Sequence, residues 1–103
     1  MSRVCDSFSA TADGQLVPTS SRGTLLQVRL RSGVDAATAT LYNGSDATGR
    51  VLAILGVDAS ALIDEWNSPY SQSEDAGGTR FDNGIYLDVT GTTPRVVAYT
   101  GKV

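Results

Sequence analysis

Apolar and polar residues alternate along much of this chain. In "GTLLQVRLRSG", Leu26, Val28 and Leu30 are separated by Gln27, Arg29 and Arg31. In "GIYLDVTG", Ile85, Leu87 and Val89 are separated by Tyr86, Asp88 and Thr90. Successive side chains of a strand point to opposite faces, so this period of two predicts strands with one face on a core and one in water. "ATATLY" sets Ala37, Ala39 and Leu41 against Thr38, Thr40 and Tyr42, and its small inward residues predict a close approach of two layers. "RVLAILGV" is apolar nearly throughout, which predicts a strand covered on both faces. "PRVVAYTGK" begins at Pro94, where a strand least misses the N–H that proline lacks. The opening "SRVCDSFSATA" reads as a further, less regular strand.

Turn chemistry separates these runs. Asp13-Gly14 and Asn83-Gly84 supply residues that tolerate positive φ. "SGVD" and "TGTTP" end their runs with Gly or Pro. Strands recurring about every 8–12 residues between such breaks predict an all-β, antiparallel β-sandwich of jelly-roll or Ig-like type. The stretch "DASALIDEWNSPYSQSEDAGG" breaks the rhythm. Leu62, Ile63 and Trp66 fit one side of a short helix near 59–66, with Asp58 or Ser60 as N-cap. A strand followed by a long loop fits the same residues. The 103 residues are enough for one core and too few for two, which predicts one sandwich domain over 1–103.

Composition narrows the chemistry. Histidine is absent, which removes the commonest general base and the commonest metal ligand together. The single cysteine, Cys5, has no internal disulfide partner and no histidine to activate it, and reads as a half-buried strand residue. The net charge of −3 and the scatter of the arginines argue against nucleic-acid binding. Arg29 and Arg31 share one face of their strand and read as a solvated face. No run approaches the roughly 20 apolar residues needed to span a bilayer. "MSRVCDSF" lacks the apolar core of a signal peptide, so neither a membrane nor classical export is expected.

Three constellations are candidates for function. The loop in "YNGSDATG" gathers Asn43, Ser45, Asp46 and Thr48, but holds one acid where a calcium site needs several converging oxygens. It reads as a hairpin connection. Asp64-Glu65, beside Trp66 and Tyr70, invites comparison with a glycosidase pair. Neighbours on a strand face opposite ways and neighbours on a helix diverge, so the two acids read as solvated charges. "GGTRFDNG" lacks the lysine and the strand-to-helix setting of a phosphate loop. No catalytic, cofactor-binding or metal-ligating residue is assigned, and no cofactor is expected. The third constellation is Leu62, Ile63, Trp66 and Tyr70, large apolar residues in the least regular segment. They form either an interface with another protein or a cap on one end of the sandwich. Trp66 and Tyr70 also suit an alternative role as the stacking platform of a carbohydrate-binding module.

The back of the chain resembles a known pattern. Leu41, Tyr42, Asn43 and Gly44 precede an apolar strand; then come Arg80, Phe81, Gly84, Ile85, Tyr86, Asp88, Val89, Thr90, Gly91 and, in the last strand, Tyr99. This order resembles that of small β-sandwich virion proteins of tailed bacteriophages, from about Gly23 onward and excluding most of 58–78. The resemblance implies a non-enzymatic structural protein made in the host cytoplasm and resident in the virion. It implies a homo-oligomer that decorates or cements a capsid or sits at the neck or on a fibre. Its partners would be its own copies and other virion proteins, with no nucleic acid and no membrane. The segment around Trp66 departs from the pattern, since such proteins often have a short bland connection there.

Overall fold

A computed structural model describes residues 5–33, 35–58, 63–67 and 80–101. The strands are β1 (Cys5–Ala10), β2 (Gly14–Val17), β3 (Gly23–Arg31), β4 (Ala37–Asn43), β5 (Arg50–Val57), β6 (Ile63–Asn67), β7 (Arg80–Phe81), β8 (Ile85–Thr90) and β9 (Arg95–Gly101). They form two antiparallel sheets. One runs β1-β9-β3-β6, with the two-residue β7 also on β3; the other runs β2-β8-β4-β5. With β7 set aside, consecutive strands from β1 to β6 fall in opposite sheets except at the β4–β5 hairpin, and β8 and β9 return between earlier strands. That order is a jelly roll, the double Greek key that needs no helix to close its core.

Alternation decides what each sheet buries. From the five-stranded sheet, Leu25, Val28, Leu30, Val96 and Ala98 point inward; from the four-stranded sheet, Ala37, Ala39, Leu41, Ile85 and Leu87 meet them. All are essentially removed from water. Leu41 lies opposite Leu87 and Ala39 opposite Val89, so β4 and β8 present their apolar side chains to the same layer. The small Ala37, Ala39 and Ala98 are among the side chains that fill that layer.

Two irregularities shift the faces away from simple alternation. On β3 the register steps from Leu25↔Thr100 to Gln27↔Tyr99, leaving Leu26 as the extra residue. Leu25 therefore takes the inner position that parity assigns to Leu26, and Leu26 is only half-buried. On β5 the register steps from Leu41↔Ala53 to Tyr42↔Val51, so Leu52 and Ala53 are both buried side by side. A bulge of this kind places two residues against one and re-aims the strand. The expectation that both faces of β5 are covered is corrected here. It is the edge of its sheet, and Val51 and Ile54 stand in water.

The short helix near 59–66 is also corrected. Residues 63–67 form β6, an edge strand antiparallel to β3, while 59–62 lie outside the described residues. Asp64, Glu65 and Trp66 are held there by pairing with Leu30, Arg29 and Val28, and that tertiary ladder outweighs the local helical spacing. The Asn83-Gly84 turn serves as its sequence suggests. Gly84 has φ of +75°, and a Cβ there would run into the carbonyl oxygens of Val17 and Pro18.

Leu87 is fully buried at the centre of β8. Truncating it to alanine is expected to cost about 2–5 kcal/mol through lost transfer energy and the cavity left behind. Urea denaturation measures this directly, and an unchanged midpoint would contradict the facing assigned to β8.

Candidate functional site

The loop that follows β4 is a hairpin connection. Asn43 lies opposite Arg50, and residues 44–49 join the two strands. Asn43, Asp46 and Thr48 are engaged with the protein itself. Asn43 Nδ2 donates to Asp82 Oδ1 at 2.9 Å, and Asn43 Oδ1 accepts from the backbone N–H groups of Asp82 and Asn83, each at 3.2 Å. Gln15 Nε2 reaches the carbonyl oxygens of Val17, Gly44 and Ile85. Asp46 accepts from both the amide and the hydroxyl of Thr48, a local turn that closes the hairpin tip. Among the described residues, no group of three or more His, Cys, Asp or Glu is placed to hold a metal ion.

The acids Asp64 and Glu65 face opposite ways along β6. Glu65 points outward and pairs with Arg29 at 3.0 Å, with Gln27 Nε2 donating to the same oxygen at 3.1 Å. Asp64 points toward the neighbouring sheet, where its Oδ2 accepts the Gly56 N–H of β5 at 3.1 Å. An inward carboxylate on one edge strand thus occupies an N–H that the other edge strand leaves unpaired, a device that blunts an edge against uncontrolled pairing. The arrangement is that of a structural tie between two sheets.

The four residues of the apolar cluster do not share one surface. Leu62 and Tyr70 lie outside the described residues. Ile63 and Trp66 fall on opposite faces of β6. Ile63 is directed outward and is 62% exposed, whereas Trp66 is half-buried and packs against the core beside Val28.

Large side chains from three strands gather on the outer face of the four-stranded sheet. Tyr86 of β8 lies directly opposite Tyr42 of β4, and Tyr42 lies opposite Val51 of β5. In the next outward row stand Asp88, Thr40 and Ile54. Ile54 is 67% exposed and Val51 45%, while both tyrosines are half-buried. Hydroxyl groups rim the patch where Thr38 and Thr90 share a hydrogen bond of 2.6 Å. The four large side chains come from three strands, which is why a linear search for clustered aromatics passes over them. Parity alone finds Tyr42 and Tyr86, each one step out of phase with a core leucine.

No protein-family model matches this sequence, and no curated protein matches it. No helix among the described residues is long and apolar enough to cross a membrane.

Two measurements check these placements. Trp66→Ala is expected to lower the unfolding free energy by about 1–3 kcal/mol, since a partly buried aromatic loses packing against the core. A urea midpoint equal to that of the wild type would return Trp66 to a surface role. The Thr48 hydroxyl, and after it the Thr48 amide, holds the Asp46 carboxyl below its ordinary value of 3.8. Because the folded value is the lower one, this contribution is full above the unfolded pKa and is lost as pH falls through the folded one. Carboxyl carbon shifts followed by NMR should show Asp46 titrating below 3.8 and moving up toward it in Thr48→Val. Equal midpoints in the two proteins would discard the assigned hydrogen bond.

Proposed function

We propose that this chain is a non-enzymatic structural protein of a bacteriophage virion. It assembles as a homo-oligomer and binds other virion proteins as a capsid decoration or cement protein or as a neck or fibre component. The single observation that carries the assembly reading is the outward patch of Tyr42, Tyr86, Val51 and Ile54. Aromatic residues at the centre of a surface, with few charges among them, have the composition of an interface core. Val51 and Ile54 stand on edge strand β5, so a second copy meets these apolar side chains at the border of the sheet. The resemblance of 41–44 and 80–99 to phage virion proteins supplies the biological setting. The jelly roll adds to it by analogy, since viral capsid domains and lectins both use this fold.

Ile54→Asp is the decisive substitution. Its side chain is largely in water in the monomer, so the folded monomer is expected to change in stability by no more than about 0.5 kcal/mol. An interface anchor replaced by a charge loses about 2 kcal/mol or more of association energy, which separates the copies about 30-fold more readily. Sedimentation velocity should show the wild type as a symmetric oligomer and Ile54→Asp as a folded monomer. Wild-type protein that stays monomeric at every concentration and ignores assembled capsids would overturn the proposal.

A further inference from the structure

We propose that the cleft at one end of the five-stranded sheet is an oxyanion-binding site in which Arg31 and Arg95 grip a phosphate or sulfate group. This site does not depend on the assembly reading. The cleft has a volume of about 590 Å³ and lies between the end of β3, the turn that leads into β9, and Thr11 just past β1. Arg31, Arg95, Ser32, Thr11, Thr92 and Thr93 supply its polar lining, and no carboxylate is among the described lining residues.

Arg31 lies directly opposite Arg95 in the β3–β9 ladder. Like charges in that position repel, and a sheet normally avoids them or places a counter-charge between them. Here the neighbouring Arg29 has its counter-charge in Glu65, while neither the Arg31 nor the Arg95 guanidinium has a hydrogen bond or ion pair to any residue among those described. Asp35 reaches the same end of the molecule, but its carboxylate is occupied by the amide and hydroxyl of Thr92, at 2.9 and 2.6 Å. Two guanidinium forks side by side match the oxygens of a tetrahedral anion, and such an anion cancels the repulsion that the bare pair bears.

The floor of the cleft is built for close approach. A Cβ on Gly33 would collide with Thr93 Oγ1, so only glycine lets the turn before β9 lie against the end of β3. Thr93 lines the same cleft as the two arginines. The Thr11 and Thr93 hydroxyls have no hydrogen bond among the described residues and are left to donate to a ligand. The volume exceeds what one inorganic anion fills, which leaves room for the carrier of a phosphate or sulfate ester.

Thermal unfolding of the full chain in oxyanion-free, low-salt buffer tests this, with inorganic phosphate and then sulfate titrated against sodium chloride of equal ionic strength. The wild type is expected to gain about 4–8 °C in Tm when the anion stands about five-fold above its Kd, and the gain should saturate. Phosphate alone or sulfate alone giving that rise supports the site and names the ligand chemistry. Arg31→Gln and Arg95→Gln should lose the gain yet melt no lower than wild type without anion, because each removes the repulsion. Arg95→Lys keeps the charge but not the fork, and is expected to bind several-fold more weakly. An equal rise in the Arg31→Gln/Arg95→Gln double variant would mean general salt exclusion and would overturn the site. So would a rise that chloride reproduces, or no saturable rise at all.

Discussion

The pairing of β4 with β8 is the contact on which the rest of the molecule depends. It joins segments more than forty residues apart and gives the four-stranded sheet its two central strands. Without it β2 has only β8, and β5 has only β4, two ribbons too small to hold a core. The pair is locked at one end by Asn43 gripping the Asp82–Asn83 turn, and by the Gly44 amide on the Gly84 carbonyl. At the other end Thr38 and Thr90 share their hydroxyls. Closing so long a loop costs entropy before contacts repay it, so polar clamps at both ends of one long-range pair fix the register when it forms. The two sequence segments on which the proposed likeness to phage virion proteins rests, 41–44 and 80–99, meet only in part in this pair. Leu41 to Asn43 lie on β4 and Ile85 to Thr90 on β8, while Arg80 and Phe81 form β7 against β3 and Tyr99 stands on β9. Their motif residues serve first to build the two sheets.

Fold class was legible because alternation reports burial directly. β4, β8 and β9 follow from period two and their flanking Gly and Pro, and the structure has them where the pattern puts them. What alternation misses is any step in phase. Leu25 and Leu26 are both leucines, and only the unequal pairing with Thr100 and Tyr99 decides which one faces the core. The same holds at Leu52 and Ala53, where a continuous apolar run hides a bulge on an edge strand. β6 was ambiguous for another reason. Its residues have helical spacing and acquire a strand's geometry from β3, a partner that local sequence does not name.

The two proposed surfaces were less legible, since both are assembled across strands. Ile63 and Trp66, close in sequence, fall on opposite faces of β6. Tyr42 and Tyr86, distant in sequence, become direct neighbours. Arg31 and Arg95 look like two of several scattered arginines until the ladder sets them opposite each other. Composition reported correctly that charge is sparse, but a net value of −3 conceals a local cluster of cations on one sheet. A sum over the chain averages away the feature that an anion responds to.

The two outer faces of the sandwich therefore differ in what burial would cost. On the five-stranded sheet, Arg29, Glu65, Arg31 and Arg95 occupy adjacent outward positions, and covering them with protein means desolvating four charges. Such a penalty often exceeds what pairing returns. On the four-stranded sheet, the outward rows through Tyr42 and Thr40 hold one charge, Asp88, at their border. Desolvation there is cheap, and Tyr42, Tyr86, Val51 and Ile54 gain by leaving water. A partner that buries protein surface belongs on the tyrosine face, and a small hydrated anion belongs at the arginine end. Both kinds of contact fit on one sandwich without competing, because its core separates them.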